Sequence, residues 1–330
     1  MSEAKWDVCG IGNAMVDVVC HVDDEFLRAH GMIKGSMTLI DADRATELLE
    51  NAGPDAERCS GGSAANTMAC LASLGGAGVY LGKVRQDSLG DLFRKEIHAS
   101  GIEFDVPAAE GGPGTGVCMV FVSPDAQRTM MTYLGASATF SPGDLDQQAI
   151  RAARITYLEG YLWDPEPAKK AFLEAADLAH RAGRRVSLTL SDSFCVDRHR
   201  AEFMKLVAEH VDILFGNQDE VVSLYQVSDL DAALEMAAKD CELAAITRGA
   251  HGSVVLAGGK RFEIESPLGE RVMDTTGAGD SYAAGFLYGI CRDLAPEKCG
   301  QLGGEVAARI ICCFGARPQG SLRSLTSDAR

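Results

Sequence analysis

Strand-length apolar runs alternate with helix-like segments along most of this 330-residue chain. The runs typical of buried strands lie at 8–11, 79–84, 155–158, 186–190, 213–215, 243–247 and 253–256. Segments with helical spacing lie between many of them, at 64–74, 89–99, 168–182, 200–209 and 230–239. Because parallel strands need a crossover connection, this alternation implies a mostly parallel sheet covered by helices on both faces. The sequence therefore predicts a doubly wound α/β core.

Two segments break the alternation and predict a second, smaller sheet. Residues 13–40 and 104–135 alternate apolar and polar residues without long helices between them. In the second segment, runs at 116–122 and 128–134 flank the turn Ser123-Pro124-Asp125, which is a hairpin pattern. We expect these two segments to form a small β-sheet lid over a site. The large domain then takes the ranges 1–12, 41–103 and 136–330.

Charge and composition exclude several classes of function. The chain has 31 basic and 47 acidic residues, and its net charge of −16 disfavours nucleic acid and anionic membranes as partners. No apolar stretch approaches the roughly 20 residues needed to span a bilayer, and the first residues lack a secretion-signal pattern. The eleven cysteines include no C-x-x-C and the seven histidines no H-x-x-x-H, so neither disulfides nor zinc are expected. These features predict a cytoplasmic protein that acts on small molecules.

The most informative motif is Asp-Thr-Thr-Gly-Ala-Gly-Asp at 274–280, which leads into a helix of small and apolar residues. Gly277, Ala278 and Gly279 leave backbone N–H groups exposed where the helix begins, and with the helix dipole these groups form an anion hole. Beside such a hole, Asp280 can accept a proton from an attacking hydroxyl during phosphoryl transfer. A plain turn with an N-capping Asp is the alternative. The full motif favours the phosphoryl-transfer site.

A second motif, Gly-Gly-Ser-Ala-Ala-Asn at 61–66, also leads into a helix. The paired glycines Gly61 and Gly62 let the backbone approach a ligand closely, and the Asn66 amide can donate to and accept from hydroxyls. The alternative is a flexible entrance to a helix, which is common. By itself this motif is a weak indication of a site.

Both motifs, in this order, resemble the two signatures of the PfkB (ribokinase-like) carbohydrate kinase family. Two further segments agree: 217–220 is similar to the N-x-x-E motif of the family, and 247–252 is similar to its T-x-G-x-x-G nucleotide loop. One departure is Tyr282, where the family usually has Phe. The resemblance covers nearly the whole chain. It implies a ribokinase-like fold, with helices on both faces of the large sheet and a small β-sheet as a lid.

Within that family, the N-terminal third is similar to the adenosine kinases. Residues 12–17 resemble the segment G-N-P-L-L-D with Ala14 in place of Pro, and 22–27 resemble V-D-x-x-F-L. The Asn-Thr-Met step at 66–68 departs from the N-x-A of many sugar kinases. This likeness implies ATP-dependent phosphorylation of the 5'-hydroxyl of adenosine, giving AMP and ADP. A sugar kinase acting on ribose, fructose or a related sugar, or a broader nucleoside kinase, remains the alternative.

The resemblance also implies a role for individual residues. Asp280 would be the general base, Arg128 would move toward the phosphates as the lid closes, and the N–H groups of residues 277–279 would bind the transferring phosphoryl group. The acceptor would be bound by Asn13, Asp17, Gly61, Gly62, Asn66 and Leu134. The nucleotide would be bound by Asn217, Thr247, Gly249, Gly252 and Thr276. Glu220 would hold Mg²⁺ through water, and a monovalent cation is a further expected cofactor.

Some of these residues have an ordinary structural alternative. Asn217 and Glu220 are spaced like a helix-capping pair. Tyr161 and Trp163 either stack on a base or belong to the core. Arg128 is either a catalytic cation or a surface charge.

Other functional classes fit the sequence less well. The segment 78–84 has the wrong spacing for a P-loop, and 10–15 has Met15 where a dinucleotide fingerprint needs glycine. A non-catalytic binding protein would have lost the base or the anion hole, and both motifs are intact. The expected assembly is a monomer or a homodimer.

Overall fold

The computed structural model of the chain describes residues 4–52, 56–125, 127–267 and 272–326. The expected large domain also includes 1–3, 53–55, 268–271 and 327–330, and the expected lid includes residue 126; these lie outside the described residues. The strands are β1 (Trp6–Ile11), β2 (Met15–His21), β3 (Met37–Leu39), β4 (Glu57–Gly61), β5 (Gly78–Leu81), β6 (Gly116–Val122), β7 (Arg128–Tyr133), β8 (Ala153–Glu159), β9 (Arg185–Thr189), β10 (Ile213–Asn217), β11 (Leu243–Thr247), β12 (Ser253–Ala257) and β13 (Lys260–Ile264).

The helices follow most strands of the core. They are α1 (Asp24–Ala29), α2 (Ala42–Asn51), α3 (Ser63–Leu74), α4 (Ser88–Ala99), α5 (Gln147–Ala152), α6 (Glu166–Arg181), α7 (Ser193–His210), α8 (Gln218–Tyr225), α9 (Leu230–Asp240), α10 (Ala278–Ile290) and α11 (Pro296–Ile310). In the described part of the chain, none of them has the length and apolar composition needed to cross a membrane.

The large sheet has eight strands in the order β13-β12-β11-β10-β9-β8-β1-β5. The strands from β11 to β5 pair in parallel, and β12 and β13 are added antiparallel at one edge. Every apolar run expected to be a buried strand falls in this sheet, so the predicted fold class is confirmed. Strand β13 was missed because its sequence, Lys-Arg-Phe-Glu-Ile, is mostly charged and exposed.

The core lies on both faces of this sheet. In β1, Val8, Cys9 and Ile11 are fully buried. On one face Gly10 leaves room for Met68 of α3, since a Cβ at Gly10 would lie 2.8 Å from the Met68 side chain. Helix α6 packs against β8 and β9, and α10 packs against α3 and α11. These contacts bring the N-termini of α3 and α10 together at the edge of the sheet.

The small sheet has five strands in the order β3-β7-β6-β2-β4. The predicted hairpin is confirmed as the antiparallel pair β6 and β7. Strand β2 joins β6 in parallel and β4 in antiparallel orientation. One face of the sheet is buried against the main core, and the other carries a separate apolar cluster that includes Met15, Cys118 and Val120. Because side chains alternate along a strand, Asp17 lies on the same face as Met15.

The expected lid segments do not contain all of the small sheet. Strand β4 lies in the range 41–103, which the sequence assigned to the large domain, yet it pairs with β2. Its residues Glu-Arg-Cys-Ser are polar and largely exposed at a sheet edge, so they lack the apolar pattern that marks a strand. Conversely, Ala109 in the expected lid forms a bridge to Arg85 instead of joining the small sheet. The division into two domains itself stays a prediction.

The eleven cysteines all lie in the described ranges, and all are free thiols. Most are buried. Burial raises the pKa of Cys70 and of Cys118 to about 12, so these thiols stay protonated and pack as small apolar side chains.

Candidate active site

The carboxyl ends of the parallel strands gather residues from distant parts of the chain. Asn13 follows β1, Glu159 ends β8, Asn217 ends β10 and Thr247 ends β11. In an open parallel sheet these ends lie along one edge, which is where ligands bind in folds of this class. Helices α3 and α10, which begin at the two glycine-rich motifs, pack against each other. The two motifs therefore meet in space, although they are about 210 residues apart in the sequence.

Helix α10 begins at the residues expected to form the anion hole. Gly277 precedes it with a φ of +74°, and a Cβ at this position would lie 2.6 Å from Cβ of Ala316, so glycine is required. A Cβ on Gly279 would meet open space. The first turn of a helix leaves N–H groups without intrahelical partners, and within the described residues no side chain caps this one. The turn can therefore receive an anion.

Asp280 lies in this first turn and contacts the other motif directly. Its Oδ1 accepts a hydrogen bond from the Ser63 hydroxyl at 2.6 Å, whereas its Oδ2 has a long contact of 3.4 Å with Nδ2 of Asn66. Burial raises the pKa of Asp280 to about 6, against the lowering effect of these donors and of Arg317. Of the two carboxylate oxygens, Oδ2 has the weaker contact and is the freer one to accept a proton.

Arg317 is a site residue that the sequence analysis did not identify. It follows α11, in a stretch without periodicity. Its Nε donates to Oδ1 of Asn66 at 3.0 Å, and its Nη1 donates to the Ser60 hydroxyl. Asn66 therefore lies between Arg317 on one side and Asp280 on the other. Only the tertiary fold brings these groups together, so no local sequence signal could have found Arg317.

Asp17 lies on β2 with its carboxylate against Gly61. A Cβ at Gly61 would overlap all three carboxylate atoms of Asp17, so glycine is needed here for packing. Burial raises the pKa of Asp17 to about 6; Arg317 and Arg128 lower it, and Asp280 raises it further. Asp17, Gly61, Asn66 and Asp280, four of the residues expected in the site, are thus close together.

The Asn13 side chain is held by the buried carboxylate of Glu159. Its Nδ2 donates to Oε1 of Glu159 at 2.7 Å, while its Oδ1 is buried without a hydrogen-bond partner among the described residues. Glu159 also accepts from the Ala64 N–H at 2.8 Å, and Gly62 has a φ of +96° with no room for a Cβ beside the Asn13 carbonyl. Burial raises the pKa of Glu159 to about 7. A charged residue ending an apolar strand was the signal that could have found Glu159.

Arg128 forms an ion pair with Asp274, the first residue of the motif at 274–280. Asp274 is buried, and its carboxylate also accepts from the N–H groups of Thr276 and Gly315, at 3.0 and 2.7 Å. Arg128 is therefore no simple surface charge. It connects β7 of the small sheet to the loop before the anion hole.

The nucleotide motifs lie farther along the same edge. Asn217 and Glu220 form a capping box: the Asn217 side chain accepts from the Glu220 N–H at 2.9 Å, and Glu220 accepts from the Asn217 N–H at 3.0 Å. The capping alternative is thus confirmed, and a nucleotide or metal role for this pair stays a prediction.

The loop after Thr247 turns tightly into β12. Gly249 and Gly252 both have positive φ, of +56° and +78°. A Cβ at Gly252 would overlap the carbonyl oxygen of Ile264. Next to this loop, the hydroxyl of Tyr282 hydrogen-bonds to Ser253 at 2.8 Å. The change from the usual Phe therefore adds a hydrogen bond between α10 and the start of β12.

The three apolar side chains proposed for a base pocket do not lie together. Leu134 lines an open cavity of about 240 Å³ with Leu39, Ile40 and Thr132. Trp163 instead packs on Phe172 and Phe203 in the core and donates to Glu202. The Tyr161 hydroxyl donates to the carbonyl of Ser191. Of the two alternatives for Trp163, the core is confirmed, because the short helix at Gly160–Trp163 turns the side chain into the core.

Comparison with known proteins agrees with this geometry. Residues 32–321 match the pfkB family carbohydrate kinase. The chain belongs to the pfkB family. A solved structure of an adenosine kinase from Sinorhizobium meliloti is 48% identical with a TM-score of 0.92, over 99% of this chain and 100% of that one. A probable sugar kinase from Rhizobium etli CFN 42 is 44% identical with a TM-score of 0.93, over 99% of both chains.

A more distant pfkB relative is an uncharacterized sugar kinase from Archaeoglobus fulgidus. It is 28% identical over 252 residues, which is 75% of this chain and 96% of the relative. The protein is thus a pfkB family kinase with both adenosine kinases and sugar kinases among its relatives. The family gives the class of reaction, and the names of the relatives differ in the acceptor.

Proposed function

We propose that this kinase transfers the γ-phosphoryl group of ATP to the 5'-hydroxyl of adenosine. The choice of a nucleoside rests on the residues that line one face of the small sheet. Leu39, Thr132, Cys118 and Asp17 are register partners in turn across β3, β7, β6 and β2, so their side chains share one face. The cavity at Leu39 and Thr132 and the carboxylate of Asp17 therefore belong to one continuous surface.

The spacing on this face suits a nucleoside. Two strand intervals separate Thr132 from Asp17, or about 10 Å between strand axes. Asp17 can accept from the vicinal hydroxyls of a ribose, and the cavity beside Leu134 can take an apolar base face. A free sugar would use Asp17 and leave the cavity without a ligand. The relative with 48% identity, an adenosine kinase, supports the same choice.

In the proposed mechanism the residues at the start of α10 have separate roles. The 5'-hydroxyl donates its proton to Oδ2 of Asp280 as its oxygen forms a bond to the γ-phosphorus of ATP, while the bond from that phosphorus to the β–γ bridging oxygen breaks and ADP leaves. The N–H groups of residues 277–279 stabilise the charge on the transferring group. Ser63 and Asn66 hold the Asp280 carboxylate in place. Arg128, close to this turn through Asp274, supplies a cation near the phosphates.

In this proposal Glu220, whose two carboxylate oxygens accept hydrogen bonds from Asn217, would hold Mg²⁺ through water. Mg²⁺ keeps several waters and is usually bound through one or two carboxylates plus the phosphates of the nucleotide. Glu220 is 6% exposed, and burial together with nearby Asp192 and Asp219 raises its pKa to about 7. No group of three or more His, Cys, Asp or Glu among the described residues could hold a metal directly. Bound there, Mg²⁺ would neutralise charge on the phosphates.

The nucleotide would lie along Thr247, Gly249 and Gly252. The tight loop lies at the carboxyl end of β11. Thr276 directly precedes the residues of the anion hole, so the nucleotide site would continue to that hole. The alternative acceptor is a free sugar, which the Rhizobium etli and Archaeoglobus fulgidus relatives favour by name.

Shortening Leu134 tests the base pocket. Leu134→Ala should lower kcat/KM for adenosine about tenfold, because the base loses apolar contact, and should leave any activity with ribose unchanged. Steady-state ATP consumption measures both. Ile33→Ala is the matched control, since Ile33 is an aliphatic residue that is 74% exposed. Equal losses for adenosine and ribose would contradict the nucleoside assignment.

A further inference from the structure

The guanidinium of Arg317 joins three parts of the fold at the acceptor site. It follows α11, its Nη1 donates to Ser60 of β4, and its Nε donates to Asn66 of α3 at 3.0 Å. Its third nitrogen, Nη2, is buried and has no hydrogen-bond partner among the described residues. A buried donor without a partner is costly and is usually satisfied by a ligand or a rearrangement. No motif in the sequence assigns this residue a role.

We propose that Arg317 is a positioning residue for the phosphoryl acceptor, which holds Asn66 in the orientation that faces Asp280 and presents Nη2 to the bound acceptor. The inference rests on the proposed kinase function. The positioning role of Arg317 follows from the chemistry of the Asn66 amide, which has one acceptor oxygen and one donor nitrogen. Because Oδ1 accepts from Arg317, Nδ2 must turn toward Asp280, where it lies 3.4 Å from Oδ2. Without Arg317 only the long contact to Asp280 would favour this orientation of the amide.

The charge of Arg317 acts on the same groups. The titratable groups that it faces include Asp17 on β2, Cys59 on β4, Cys70 on α3, Tyr80 on β5 and Glu96 on α4. It also lowers the pKa of Asp280 on α10.

Burial raises the pKa of Asp17 and that of Asp280, each to about 6, although Arg317 opposes both shifts. Asp17 is further influenced by Arg128 and by Asp280, and Asp280 by Ser63 and Asn66. Loss of the cation should therefore move the protonation of both carboxylates to higher pH.

Arg94 provides a matched comparison within the same chain. It donates to the carbonyls of Phe104 and Val106 at 2.9 and 2.7 Å and lies over the Phe104 ring. Within the described part of the chain, this arginine has a structural role and forms no hydrogen bond to a residue of the acceptor site. A variant at Arg94 reports the effect of losing a packed arginine, without the effect on the site.

The test compares Arg317→Met and Arg317→Lys with Arg94→Met, using ATP and adenosine. Arg317→Met should raise the acceptor KM about tenfold with little change in the KM for ATP, and should move the acid limb of kcat/KM upward by about half a pH unit or more. Arg317→Lys keeps the charge, so it should restore the acid limb while the acceptor KM stays high. Arg94→Met should lower the melting temperature only.

A second variant keeps the test decisive if Arg317→Met does not fold. Ser60→Ala removes one acceptor of the guanidinium and keeps the cation, so the acceptor KM should rise a few-fold with an unchanged acid limb. Wild-type acceptor KM and pH profile in the Arg317→Lys and Ser60→Ala variants would overturn the positioning role. If the wild-type enzyme prefers a free sugar, the nucleoside proposal is contradicted but the Arg317 proposal is not. The same Arg317 variants would then be measured with that sugar as the acceptor.

Discussion

At the scale of single residues, Asp280 has the properties that a base for a hydroxyl needs. A pKa of about 6 leaves it ionised at neutral pH and still basic enough to accept a proton. Asp17 has a raised pKa of about 6 as well, and the two carboxylates influence each other. The acid limb of the pH profile, expected near pH 6, therefore belongs to the pair. Activity should fall below that pH, as either carboxylate becomes protonated.

Asp280→Asn tests the base directly. It keeps the shape of the side chain and removes the proton acceptor, so kcat should fall by roughly 10² or more while ATP binding persists. Steady-state kinetics and calorimetric titration with ATP measure the two effects. Asp293→Asn, just after the same helix, is the control and should leave kcat unchanged. Near-normal turnover in purified Asp280→Asn would rule out this role.

At the scale of elements, two polar contacts connect the small sheet to the site. Arg128 on β7 pairs with Asp274 beside the anion hole, and Ser60 on β4 accepts from Arg317 beside Asn66. Arg128 lies on the face that carries Asp17, whereas Ser60 is the register partner of Val16 and lies on the opposite face. Movement of the small sheet therefore changes the surroundings of the acceptor and of the anion hole together. Such a movement would exclude water, which competes with the acceptor for the phosphoryl group.

Closure of the small sheet predicts a change in amide exchange. Adenosine should slow hydrogen exchange in the expected lid segments, 13–40 and 104–135, because closure protects their backbone from water. Mass spectrometry with and without saturating acceptor measures this. Helix α6 packs on β8 and β9 and serves as the internal control, with unchanged exchange. Equal exchange of the lid segments in both states would argue against closure.

At the scale of the whole molecule, the sequence pattern predicts the strands that are buried on both faces of the large sheet. The central strands, such as β1, are continuous apolar runs, so their positions follow from composition alone. Strands β4 and β13 are polar edge strands, and their positions depend on partners that a local pattern does not contain.

The site divides in the same way. Asp280 lies in a local motif and could be predicted, and Glu159 at the end of an apolar strand carries a weaker local signal, whereas Arg317 reaches the site only through tertiary contacts. For Trp163 the sequence left a base site and the core as alternatives, and the burial of the side chain decides for the core. Local motifs can thus identify the class of chemistry, but the contacts that hold its residues in place depend on the whole fold.

The central claim is the identity of the acceptor, and wild-type selectivity tests it most directly. The measurement is kcat/KM with ATP for adenosine, inosine, guanosine, ribose and fructose. Adenosine should exceed each sugar by at least about tenfold, or ~1.4 kcal/mol of transition-state binding, because only a nucleoside occupies both the Asp17 region and the cavity at Leu134. A higher kcat/KM for ribose or fructose than for adenosine would contradict the account.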